Sequence, residues 1–171
     1  GYKPFFAVYS SFWQRAFDQT IIDICIDKRP VTFLLDHAGA VGGDGVTHQG
    51  AFDLAALSMI PNMTIMQPKD GKELANMLDF AATFVEPLAI RYAKAYDYDL
   101  DEHTDVSGLQ WETLARSNSN VTILAAGNRA IKAALGLHGA TVVNARVIKP
   151  LDREFLDSVS DGAVVVTVED G

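Results

Sequence analysis

The chain has 171 residues, 49% hydrophobic and 21% charged, which suits one domain or one and a part with a real core. Fourteen basic and twenty-two acidic residues leave a net charge of −8, which argues against nucleic acid or an anionic membrane as a general partner. No apolar run approaches the roughly 20 residues of a membrane span, and the lone cysteine, Cys25, cannot form an internal disulfide, so a reducing cytoplasm fits.

Phe5 to Tyr9 reads as a buried strand, and Phe12 to Asp27 as a helix with Phe17, Ile21, Ile24 and Cys25 near helical spacing. Pro30 ends that helix, and Val31 to Leu35 is a second buried strand. It feeds the loop from Asp36 to Gly50, which holds Gly39, Gly42, Gly43, Gly45 and Gly50 beside Asp36, His37, Asp44 and His48. A structural turn needs one or two glycines. Polar side chains on a loop after a strand are where open α/β sheets place their chemistry.

Phe52 to Ser58 reads as a short helix and Thr64 to Met66 as a strand stub. Asp70 is placed to cap a helix from about Lys72 to Val85, and Leu88 to Tyr92 is a further strand. Residues 96 to 119 carry Asp97, Asp99, Asp101, Glu102 and Asp105 with little apolar periodicity, and read as a surface linker with an edge strand near Leu109 to Thr113. A second α/β unit follows: strand Val121 to Ala125, helix Ala130 to Leu137, strand Thr141 to Val147, helix Asp152 to Val159 and strand Ala163 to Val168. Strands alternating with helices predict parallel sheets with right-handed crossovers. Both ends read as cut, as in the middle of a longer protein.

Read on their own, the polar residues leave two options each. Asp44 and His48 could transfer protons, since an imidazole titrates near neutrality; equally, Asp44 could accept backbone N–H groups and His48 cap the next helix. Phe12 could stack on a flat heterocycle or be core, and Arg15 could fork onto an anion or be a surface residue. Arg91 and Lys94 could be solvated charges at a strand end.

The chain resembles the 1-deoxy-D-xylulose-5-phosphate synthases, thiamine-diphosphate enzymes of the transketolase superfamily. The matching stretches run in order: Gly1 to Phe5; Tyr9-Ser10-Ser11-Phe12, Gln14-Arg15-Ala16 and Asp18-Gln19; Ala38-Gly39; Gly42 to Asp53 as G-x-D-G-x-T-H-Q-G-x-F-D. They continue through Ile60-Pro61, Pro68-Lys69-Asp70, Ile90-Arg91-Tyr92, Val143 to Arg146, Lys149 to Asp152 and Thr167 to Asp170. The resemblance implies an α/β fold: a parallel-sheet pyrimidine-binding domain over 1–98, a linker over 99–119, and part of a transketolase C-terminal α/β domain over 120–171. It implies a cytoplasmic homodimer that condenses pyruvate with glyceraldehyde 3-phosphate, releases CO2 and feeds isoprenoid, thiamine and pyridoxal synthesis.

The resemblance also implies roles. His48 and Asp44 are catalytic. Phe12 and Tyr9 face the thiamine cofactor, with Tyr9 also toward substrate, and Arg15, His37, Arg91 and Lys94 serve the substrates. No metal ligand is expected here: the Mg2+ and diphosphate ligands, and the glutamate that activates the cofactor, are implied in another domain, so the chain alone is expected to be inactive. Two positions depart from the family pattern. Arg-Tyr-Pro-Arg-Gly becomes Arg91-Tyr92-Ala93-Lys94-Ala95, and Asp-Arg-Ala-Gly becomes Asp36-His37-Ala38-Gly39. Both weaken the implied grip on an acceptor phosphate. Two rival readings stand beside the synthase: a related ketolase with a different acceptor, and a non-catalytic dimerisation or regulatory module.

Overall fold

A computed structural model describes residues 1–96, 100, 105–159 and 161–169. Asp97, Asp99, Asp101 and Glu102 of the expected linker, and the expected boundary at 98/99, lie outside the described residues.

The first sheet contains β1 (Phe5–Tyr9), β2 (Thr32–Asp36), β3 (Thr64–Met66) and β4 (Leu88–Arg91). Their order is β1-β2-β4-β3, all parallel. The strands of β3 and β4 are buried throughout, as continuous apolar runs covered on both faces should be. β1 is the sheet's edge, which leaves Phe5 and Phe6 42% and 47% exposed where the sequence pattern predicted burial.

The predicted helix after β1 is a broken spiral. It runs through α1 (Ser10–Trp13), a 3₁₀ turn (Gln14–Ala16), α2 (Phe17–Gln19) and a π turn (Thr20–Cys25). The Trp13 indole donates to the Thr20 hydroxyl at 3.1 Å, and that hydroxyl donates back to the Ala16 carbonyl at 2.7 Å. A threonine bonded to the carbonyl four residues earlier bends a helix, and the β-branched run Thr20-Ile21-Ile22 adds side-chain crowding. Cys25 is fully buried, and burial pushes its thiol up to about 11.

α3 (Asp53–Met59) precedes β3, and α4 (Gly71–Thr83) precedes β4. Asp70 caps α4 as predicted, its carboxylate accepting the Glu73 N–H at 2.8 Å. One face of the first sheet packs on Trp13, Leu57 and Ile60, the other on Met77 and Ala81.

The second sheet contains β5 (Glu112–Ala115), β6 (Val121–Ala126), β7 (Thr141–Asn144) and β9 (Val164–Glu169), in the order β5-β7-β6-β9. α5 (Asn128–Leu135) and α6 (Arg153–Ser158) are its helices, and Asp152 caps α6 through the Phe155 N–H. β5 is antiparallel and at the edge, and it begins three residues later than the predicted edge strand. The predicted strand Thr141 to Val147 is divided. Its first part is β7; the chain then leaves the second sheet at Ala145 and Arg146 and enters the first as β8 (Val147–Lys149), antiparallel to β3.

A buried carboxylate explains that crossing. Glu73 on α4 is 1% exposed and accepts from the Lys69 N–H at 2.6 Å, the Asn144 amide at 2.9 Å and Arg146 Nη1 at 3.3 Å. Lys69 reaches Glu112 of β5 at 2.5 Å, and Asn128 of α5 donates to the Lys69 carbonyl at 2.6 Å. Burial pushes the Glu73 carboxyl above its ordinary value, opposed by Lys69 and Arg146. Among the described residues no helix is long and apolar enough to cross a membrane.

Glu73→Ala removes the carboxylate from around two buried cations. We expect a loss of about 3–5 kcal/mol, the cost of breaking a buried pair from one side, read as a lowered urea midpoint; a change within error would make the junction dispensable.

Candidate functional site

Three parallel strands end side by side: Tyr9 closes β1, Asp36 closes β2 and Arg91 closes β4. In open α/β sheets ligands sit beyond such ends. Tyr92 continues the ladder, taking the Leu35 carbonyl and giving its own to the Ala38 N–H, each at 3.0 Å.

The loop after β2 is closed at its base by a two-way bridge between Gly39 and Gly50, both bonds 2.9 Å. Gly50 admits no side chain: a Cβ there would lie 2.3 Å from the His37 carbonyl oxygen and 2.8 Å from Ala38 Cα. Gln49 clamps the loop from inside. Its oxygen accepts the Val41 N–H at 2.7 Å, and its amide donates to the Val41 and Gly45 carbonyls at 2.8 and 2.9 Å.

His37 has a left-handed backbone, φ +57°, which turns the chain sharply at the strand end. The residue is 7% exposed, and its ring lies on Tyr9 at 3.9 Å and 20°. Tyr9 stacks on Phe12 at 5.5 Å and 8°, and Phe12 meets His48 edge-on at 5.1 Å and 78°. Four rings therefore run in the order His37, Tyr9, Phe12, His48. Phe12 keeps 40% of its surface exposed, so part of an aromatic side chain stays available to a flat heterocycle.

Charges border the rings. Lys94 donates to Asp44 Oδ1 at 2.7 Å. His37 Nε2 is 3.5 Å from Asp44 Oδ2, and its Nδ1 is 2.9 Å from Asp36 Oδ1, which also accepts the His37 N–H at 2.7 Å. The Lys94 hydrogen bond holds the Asp44 carboxyl below the usual carboxylate range, aided by the charges of Lys94, His37 and His48. The same bond raises the Lys94 amine. The Thr47 hydroxyl lies 2.9 Å from His48 Nδ1.

Six of the eight expected site residues thus gather here: Tyr9, Phe12, His37, Asp44, His48 and Lys94. Arg15 is exposed on the 3₁₀ turn, and no described contact joins it to the group. Arg91 differs most from its expected place at the substrate. It is fully buried, its Nε and Nη2 forked onto Asp53 at 3.1 and 3.0 Å and its Nη1 on Gln67 at 2.6 Å. Asp53 is equally buried, which makes this a brace beneath the loop's exit. Sequence reasoning missed Gln49, Asp53 and Asp36 as positioning residues. Gln49 and Asp53 lie within the quoted G-x-D-G-x-T-H-Q-G-x-F-D stretch, but nothing in their residue types announces a clamp or a brace. Among the described residues no group of three or more His, Cys, Asp or Glu is arranged to hold a metal ion.

Residues 1–96 match the family described as transketolase, pyrimidine binding domain, and residues 110–171 match transketolase, C-terminal domain. A 1-deoxy-D-xylulose-5-phosphate synthase of Clostridium perfringens is 44% identical over 99% of this chain, and one of Caldanaerobacter subterraneus subsp. tengcongensis is 46% identical over the same share. The chain spans 29% of the length of these curated relatives. Among solved structures, a split gene transketolase described as an inactive beta4 tetramer superposes with a TM-score of 0.80 at 29% identity, over 97% of this chain and 57% of that one. A Pichia stipitis transketolase in complex with sedoheptulose 7-phosphate superposes at 0.79 and 22% identity, over 96% and 26%, and speaks for the fold alone. The chain belongs to the transketolase family and is similar to its 1-deoxy-D-xylulose-5-phosphate synthases.

Because its pKa is depressed, the Asp44 carboxylate contributes to the loop above the ordinary aspartate range, and that contribution disappears as pH falls through the depressed value. Carboxyl NMR should find Asp44 titrating below an ordinary aspartate and moving up in Lys94→Met. An unmoved midpoint would separate Asp44 from Lys94 in solution.

Proposed function

We propose that this member of the transketolase family forms the pyrimidine-facing part of a 1-deoxy-D-xylulose-5-phosphate synthase site, where pyruvate is decarboxylated and joined to glyceraldehyde 3-phosphate in a cytoplasmic homodimer. The observation that carries the reading is the line of four rings at the strand ends, bordered by Asp44 and Lys94, in a chain similar to curated synthases over almost its whole length.

Thiamine diphosphate, when bound, supplies the carbon that takes up the pyruvate-derived unit. Its Mg2+ and diphosphate would be held by another domain, as the resemblance implies. Within the chain, Phe12 offers the exposed part of its side chain to the aminopyrimidine, beside the ring of Tyr9 on which it stacks. His48 moves protons at the reacting carbon, the task that suits an imidazole. Asp44, kept ionised by Lys94, contributes charge and orientation. Tyr9 and Arg15 face substrate, and Lys94 with His37 draws the acceptor's phosphate. Lys94 does so as a point charge rather than a bidentate fork. Arg91 acts through Asp53, holding α3 and the loop's exit in place.

The likeness to a split gene transketolase favours a second reading, in which a separately encoded subunit provides the diphosphate-binding domain. A third assignment, a ketolase for a different acceptor, draws on the same two departures, His37 and Lys94. Equal use of glyceraldehyde and its 3-phosphate would favour it.

The chain alone should give no condensation product from pyruvate and glyceraldehyde 3-phosphate. Joined to a diphosphate-binding domain from a curated relative, it should give product detectable by mass spectrometry, and His48→Asn should lower kcat about 10²–10⁴-fold. A folded, cofactor-loaded assembly without product would overturn the synthase reading.

A further inference from the structure

The segment 42–46 is the least supported part of the loop. Side chains added at Gly42, Gly43 or Gly45 would meet nothing within 4 Å, and Val46 is 94% exposed. Gly43 and Gly45 have φ of +90° and +79°, conformations a glycine can leave at little cost. The Gly39–Gly50 bridge and the Gln49 bonds to Val41 hold the base, not this tip. Among the described residues the tip's ties are the Gln49 amide and the His48 N–H on the Gly45 carbonyl, and the Asp44 carboxylate, which reaches across to Lys94 and His37.

Lys94 is half exposed, and Asp44 retains 22% of its side-chain surface. An exposed ion pair of this kind is individually weak and open to competition. Asp36 also bears on Lys94. A second anion arriving beside both carboxylates would meet like charge, and departure of Asp44 relieves it.

We propose that Asp44 and the phosphoryl group of a small ligand compete for Lys94, so that anion binding is coupled to release of the loop tip 42–46. Asp44 is then a built-in anion, and the lysine that attracts the ligand is the one that fastens the loop. The proposal rests on the reading that an acceptor phosphate reaches Lys94.

The test is the opening of the 42–46 tip, read as conformational exchange at its amides by NMR relaxation in the whole chain, titrated with inorganic phosphate against chloride at constant ionic strength. Saturating phosphate should raise the open population of the tip about two- to fivefold, the range an exposed ion pair carries, and leave the Gly39–Gly50 bridge closed. Asp44→Asn should show the larger opening in chloride alone, bind phosphate more tightly by a similar factor, and gain nothing further from it. Lys94→Met should free the tip and lose phosphate binding. Phosphate that binds at Lys94 while tip opening stays unchanged, or an Asp44→Asn chain that binds it no more tightly, overturns the coupling and leaves the acceptor reading intact. No phosphate binding to either the native chain or Asp44→Asn overturns both.

Discussion

The candidate site stands on one buried ion pair. Arg91 ends the central strand β4 with no exposed surface, and Asp53, the first residue of α3, takes its fork. Removing either partner would leave a charge stranded in a low-dielectric interior, which is why such pairs hold their geometry. The pair fixes where the glycine loop must re-enter the fold, and Gln67, just beyond β3, binds the third donor. β3, β4, α3 and the loop's exit therefore meet at one guanidinium. The rings and charges above it inherit that placement.

An acidic protein has to ration its cations, and this one matches two at the strand ends with carboxylates, Arg91 with Asp53 and Lys94 with Asp44, while Asp36 lies against the His37 ring. Burial separates their roles. The Arg91 pair is dry and acts as a brace, whereas the Lys94 pair is wet and exchangeable. A second buried carboxylate, Glu73, performs the brace's task between the two sheets. Its partners Asn144 and Arg146 lie just where the chain leaves one sheet for the other. Backbone crossing and polar satisfaction are one event there, since a buried carboxylate must be met by donors from both sides.

Local rules carried the sequence reading a long way. The α/β alternation, the Asp70 cap and the glycine loop after β2 follow from chemistry confined to a few neighbouring residues, and they are present in the fold. The helix after β1 is broken because Trp13 and Thr20 bond across its turns, a detail that apolar spacing does not encode. The strand read from Thr141 to Val147 is divided because Asn144 and Arg146 turn to Glu73, although the β-branched residues Thr141, Val142, Val143 and Val147 on either side suit a strand.

By itself, the sequence determined which side chains with useful chemistry would share a loop, since Asp44 and His48 are four residues apart and glycines surround them. Only the tertiary structure decided which charges stay available. Arg91 and Lys94 look alike at a strand end, yet one is sealed against Asp53, 38 residues away, and the other lies open against Asp44, 50 residues away. Side-chain type and spacing act over a turn or a strand. The partner of a charge, and the water it keeps, are set by which distant segments the fold brings together.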